Sequence, residues 1–117
     1  MSDRTYTERM ARLRAGMAAA GFAAIYTTHP ANRRYLSGYT GEDDPPDESA
    51  GALLITPDAA YLRTSVVNAP QARADAPDFT VVAYARRDEA NTQLQEIAAR
   101  HAIRRLGFDE SGMLYLT

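Results

Sequence analysis

GALLITPDAAYLRT, residues 51–64, sets two apolar runs on either side of Pro57–Asp58, and the way those runs pair decides the fold. Short apolar and β-branched segments flanking a Pro-Asp pair are the signature of a tight β-hairpin, so the stretch is predicted to form two antiparallel strands. Upstream lies EDDPPDES, residues 42–49, an acidic loop stiffened by Pro45–Pro46 with too few apolar residues to fold by itself. Downstream, Asn68 is placed to cap a helix through Pro70, Gln71 and Arg73 to about residue 74. DFTVVAY, residues 78–84, reads as a further strand, and Asp88 is placed to cap a longer helix with Leu94, Ile97, Ala98 and His101 on one face. RLGFD, residues 105–109, reads as the last strand, while Met113 to Thr117 reads as the start of a truncated helix.

The N-terminal part completes the order. TYTERMARLRAGMAAAG, residues 5–21, opens with Thr5 three positions before Glu8, a capping box, and spaces Tyr6, Met10, Leu13 and Met17 as one helical face closed by Gly21. FAAIYTT, residues 22–28, reads as a buried strand. HPANRRYLSGYTG, residues 29–41, follows: Thr28 can cap, Pro30 suits a first helical turn, and Gly38 stops it. The order α-β-α-β-β-α-β-α-β predicts an α/β domain in which two helical layers bury a mostly parallel or mixed sheet of about five strands.

Composition excludes several classes of function. The chain of 117 residues has the size of one domain, carries a net charge of −2, and spreads its arginines too widely for a nucleic-acid-binding stripe. Its apolar runs are too short to cross a bilayer, and its charged first twenty residues are unlike a secretory signal, so a cytoplasmic location is expected. Having no cysteine, it has no thiolate chemistry, and having no lysine it forms no Schiff base.

Candidates for chemistry are therefore few. The five carboxylates of residues 42–48 lack calcium-loop spacing and read as a solvated loop. His101, at a helix end, reads as structural, whereas His29 follows a strand end, where ligands bind in open α/β sheets. No nucleophile elbow, phosphate loop or dinucleotide fingerprint occurs, so no catalytic residue and no metal ligand is assigned. Arg33 and Arg34 point about 100° apart on a helix, so both cannot face the core; they either pair at the surface with the acidic loop, the reading the sequence alone favours, or offer a guanidinium to a substrate carboxylate or a partner chain.

These motifs in this order are R-x-x-R-L-x-x-x-M-x-x-x-G-F-x-A from Arg9, P-A-N-R-R-Y-L-S-G-Y-T-G from Pro30, and G-A-L-L-I-T-P-D-A-A-Y-L-R-T from Gly51. Together they resemble the N-terminal domain of the creatinase/prolidase group of metallopeptidases: Xaa-Pro aminopeptidases, Xaa-Pro dipeptidases and creatinase. Asn32, Tyr35, Leu36, Gly38 and Gly41 match that family's Asn-x-x-Tyr-Leu-x-Gly-aromatic-x-Gly element, and Leu53, Leu54 and Thr56 its hairpin. The resemblance implies a three-layer α/β/α, ribonuclease H-like domain that is not itself a hydrolase, truncated near its C-terminal end. The two divalent ions of the parent enzyme (Mn, Co or Zn) would sit in a separate C-terminal pita-bread domain. The implied partners are that catalytic domain, a second subunit in a homodimer, and a peptide substrate, with no nucleic acid and no membrane. Asn32, Tyr35, Leu36 and Gly38 then read as scaffold, leaving His29, Arg33, Arg34 and Tyr39 as substrate-gating or interface residues. The family's Thr-Asp-x-Arg-Tyr after the hairpin is replaced by Thr64, Ser65, Val66, Val67 and Asn68. This departure leaves open aminopeptidase, dipeptidase, creatinase-type amidinohydrolase, or a catalytically inactive relative that binds peptide or protein.

Overall fold

A computed structural model describes residues 3–22, 24–28, 30–41, 51–101, 106–108 and 113–116. The hairpin forms as predicted: β2 (Ala52–Ile55) and β3 (Ala60–Ser65) pair antiparallel, with Ala52 opposite Arg63 and Ile55 opposite Ala60. Thr56 closes the turn, its N–H donating to the Ala59 carbonyl at 2.9 Å and its hydroxyl to Asp58 at 3.0 Å. Every residue of β2 is buried, which is why ALLI is apolar without alternation: it is an interior strand covered on both faces.

β1 (Ala24–Thr27) pairs antiparallel with β2, and β4 (Thr80–Tyr84) pairs parallel with β3 after a crossover through α3 (Ala69–Asp75). β5 (Leu106–Phe108) and β6 (Met113–Leu116) form a second antiparallel pair, and β6 also pairs with β1. Among the described residues the resulting mixed sheet has six strands in the order β4-β3-β2-β1-β6-β5. The sixth strand corrects the expected helix start at Met113. As a strand, these residues satisfy the otherwise unpaired edge of β1 and are hydrogen-bonded on both sides.

Strand alternation builds two cores. On one face α1 (Asp3–Ala20), α2 (Pro30–Ser37) and α3 bury Met10, Met17 and Leu36 against Ile25, Leu53, Ile55 and Leu62. On the other, α4 (Arg87–Arg100) packs Ile97 and Leu94 against Ala24, Leu54 and Tyr61. The domain is thus three-layered α/β/α, as expected.

Helix ends follow the sequence less closely. Gly21 ends α1 at φ 77°, with its N–H on Ala18 and that of Phe22 on Met17, a Schellman motif. Thr5, in contrast, lies inside α1, which begins at Asp3. Asn68 does precede α3 but is itself in the helical region, where its side chain makes no cap bond. The cap position of α4 is Arg86, and Asp88 instead joins Glu89 in the first turn, where carboxylates favour the positive end of the helix dipole.

Candidate functional site

The pairing pattern makes β1, β3, β4 and β5 run in one direction, so their C-terminal ends share one edge of the sheet. The segment after β1, the start of β2 and the turn after β3 all emerge there. Binding loops collect at such an edge in open α/β sheets.

Arg33 organises it. On α2 the positions facing the sheet are 33, 36 and 37, and Arg33, Leu36 and Ser37 are all buried, Arg33 completely at 0% exposure. Its Nη1 donates to the carbonyls of Thr28 at 2.8 Å and Gly51 at 3.0 Å, and its Nη2 to that of Gly41 at 3.2 Å. One guanidinium thereby ties the end of β1, the loop leaving α2 and the start of β2 through charge-assisted bonds. Ser37 reinforces the helix end, donating to the Arg33 carbonyl at 2.5 Å and accepting from the Tyr39 N–H at 3.1 Å.

Tyr39 is buried as well, at 1% exposure, its hydroxyl 3.5 Å from that of Thr64. A Cβ on Gly41 would fall 2.2 Å from its ring, and one on Gly51 would fall 2.8 Å from the Arg63 carbonyl and 3.4 Å from the same ring. Both glycines are therefore imposed by close approach, a role for Gly51 that had no sequence signal.

These positions correct the expectation that Arg33 and Tyr39 face another domain or subunit: both are consumed inside the fold. Tyr35, read as scaffold, lies about 200° around the helix from Arg33 and is 50% exposed, with the Arg9 guanidinium 4.1 Å from its ring centroid. Asn32, also read as scaffold, donates to the Thr27 hydroxyl at 3.4 Å. Arg34 is exposed as expected, and His29 and the acidic loop lie outside the described residues. The edge exposes one feature that the candidate residues did not include, Val66 and Val67 at 51% and 83%. Their sequence signal was the departure from Thr-Asp-x-Arg-Tyr.

A polar clamp steadies the edge from α3. Asp75 accepts from the Thr40 hydroxyl at 2.7 Å and the Thr40 N–H at 3.1 Å, and Gln71 donates to the same hydroxyl at 2.8 Å. Partial burial raises the Asp75 pKa, but hydrogen bonds to its carboxylate from the Thr40 hydroxyl and N–H and from the Gln71 side chain outweigh it and leave it below the ordinary 3.8. A depressed carboxylate pKa stabilises the fold above its unfolded value and loses that contribution as pH falls through the folded one. Exchange protection of the Thr40 amide is therefore expected to hold from neutrality to about pH 4 and to fade below it; protection that survives strong acid would show that Asp75 does not hold this loop.

The opposite edge carries a groove of about 680 Å³ lined by Met10, Arg14, Asp58, Tyr61, Asp78 and Phe79. Arg14 is committed there to the Thr56 and Ala59 carbonyls, both at 2.9 Å. His101 occupies a structural place as read, its Nε2 2.9 Å from the Tyr61 hydroxyl and its Nδ1 3.9 Å from Asp58. Among the described residues no group of three or more His, Cys, Asp or Glu is arranged to hold a metal, and no described helix is long and apolar enough to cross a membrane.

Comparison with known proteins agrees with this architecture. No curated protein sequence matches the chain. An Xaa-Pro dipeptidase from Bacillus anthracis superposes with a TM-score of 0.73 at 27% identity, covering 90% of this chain but only 27% of that one. The N-terminal domain of the cytoplasmic peptidase PepQ from Mycobacterium tuberculosis superposes at 0.64 with 32% identity, covering 81% of this chain and 67% of that one. An Xaa-Pro aminopeptidase structure from Streptococcus pyogenes, 23% identical over 84% of this chain and 70% of that one, shares the fold at a TM-score of 0.67. Residues 9–117 match the Creatinase/Prolidase N-terminal domain. The chain therefore belongs to the creatinase/prolidase N-terminal domain family.

Proposed function

We propose that this domain is the non-catalytic N-terminal part of a metal-dependent Xaa-Pro aminopeptidase or dipeptidase, where it supports dimerisation and walls the approach to an active site. The metal pair, the hydrolytic residues and the peptide's reacting bond belong to a catalytic domain outside this chain, and the parent works in the cytoplasm. The observation that carries the reading is the sheet's carboxyl edge. It is held rigid from within by Arg33 and presents Val66, Val67 and Arg34 outward, a surface suited to another protein surface more than to a small polar ligand. The likeness to an Xaa-Pro dipeptidase, of which this chain covers 27%, and to the N-terminal domain of a cytoplasmic peptidase supports it.

The test uses the parent enzyme carrying Val67→Asp. At 83% exposure Val67 contributes little to the domain, so the melting temperature of the isolated chain should be unchanged. Seated against a protein surface, an unpaired carboxylate should cost at least about tenfold in dimer affinity or in kcat/KM on an Xaa-Pro peptide. Wild-type assembly and kinetics in this variant would remove the edge from the interface. A parent that hydrolyses no Xaa-Pro peptide with metal present would favour a binding module instead.

A further inference from the structure

β4 is a terminal strand of the sheet, and its sequence, Thr-Val-Val-Ala-Tyr, is uncharged, β-branched and aromatic, with no proline or glycine. Such an edge pairs readily with another extended chain unless something occupies its outward backbone groups. The parallel register sets Leu62 beside Val81 and Thr64 beside Ala83, and the Val66 N–H donates to the Tyr84 carbonyl at 2.9 Å. The backbone groups of Val82 and Tyr84 thus face β3, and by alternation those of Val81, Ala83 and Ala85 face away from the sheet.

Two of those outward groups are taken by α4. Gln93 Nε2 donates to the Ala83 carbonyl at 2.9 Å, and the Ala85 N–H donates to Glu89 Oε2 at 3.3 Å. Glu89 and Gln93 are one helical turn apart. Four residues of helix rise about 6 Å and two residues of strand about 6.6 Å, so the two side chains meet successive outward groups of the strand. α4 has further anchors in the Arg63 guanidinium bonded to the Ala90 carbonyl and in buried Ile97.

We propose that Glu89 and Gln93 act as an edge guard that occupies the place of a seventh strand and bars strand addition at β4. The strand they exclude is β4 of a second copy. Paired antiparallel about a two-fold axis, the segment is complementary to itself and opposes no like charges. This inference does not rest on the proposed enzymatic role and concerns a different edge from Val66 and Val67.

The chain carrying E89A/Q93A, followed by sedimentation velocity over a range of concentrations, should shift toward twice the mass of the wild type under the same conditions. E89Q, which keeps an acceptor for Ala85, should sediment as wild type. Adding Ala83→Pro to the double variant should abolish the association, because it removes an outward N–H and leaves the bonds to β3 in place. A folded double variant with wild-type mass throughout, or association that persists with Ala83→Pro, overturns the proposal. Should the double variant not fold, E89A alone decides: the guard requires amide exchange at Ala85 to accelerate at least about tenfold with β3 unchanged, and wild-type protection there overturns it.

Discussion

Arg33→Ala should lower the unfolding free energy of the isolated chain by about 3–5 kcal/mol, a large fraction of what a domain of this size possesses. The guanidinium is fully buried and donates to three carbonyls from three separate segments, those of Thr28, Gly41 and Gly51. Truncation removes three charge-assisted bonds, the one to the Gly51 carbonyl buried and those to Thr28 and Gly41 part-buried, at up to about 1–3 kcal/mol each, and adds a cavity. Water entering the vacated volume would offset part of this, which places the estimate below the simple sum. Arg33→Lys should recover only part of the loss, since one ammonium cannot reproduce a planar fork that reaches three carbonyls. Urea denaturation of the two variants measures both effects. A loss under about 1 kcal/mol for Arg33→Ala would mean that the clamp is not structural and would return Arg33 to the surface role expected from sequence.

The second large effect is expected at Gly38. Its φ of +85° is unfavourable for a residue bearing a side chain, and a Cβ would lie 2.9 Å from the Asp75 carbonyl oxygen and 3.1 Å from the Tyr6 ring and hydroxyl. The conformational part costs about 1–2 kcal/mol and the overlap with backbone a similar amount, so Gly38→Ala should destabilise by about 2–4 kcal/mol. Gly21 supplies the control. It has φ of +77°, and a Cβ there would meet nothing within 4 Å, so Gly21→Ala should show the conformational part alone, about 1 kcal/mol. Equal losses at the two glycines in parallel urea melts would show that α3 can move away from Gly38 without penalty.

Legibility in the sequence followed the range of the interaction. The hairpin, Gly21 as a helix stop and the apolar face of α1 all depend on neighbours a few residues away or on a strong period, and each appears where it was expected. The caps expected at Thr5 and Asp88 fall inside their helices, as the third residue of α1 and the second of α4, because polar residues cluster near those helix starts and several could serve. Met113–Leu116 was ambiguous by nature, since a four-residue apolar run suits a strand or a helix until a partner is available, and its partners are β1, nearly ninety residues earlier, and β5.

The candidate residues divide in the same way. That Arg33 and Arg34 point to different sides followed from helical geometry alone. Which of them points inward did not, because α2 is short and both its flanks are polar. By itself the sequence determined an α/β domain of this family, the hairpin at its centre and the absence of thiol and lysine chemistry. Tertiary structure decided that Arg33 and Tyr39 are interior, that Tyr35 is exposed, and that Val66 and Val67 are left outward. The physical reason is that a buried cation is tolerated only where acceptors converge on it, and the carbonyls of Thr28, Gly41 and Gly51 converge only once the sheet has assembled.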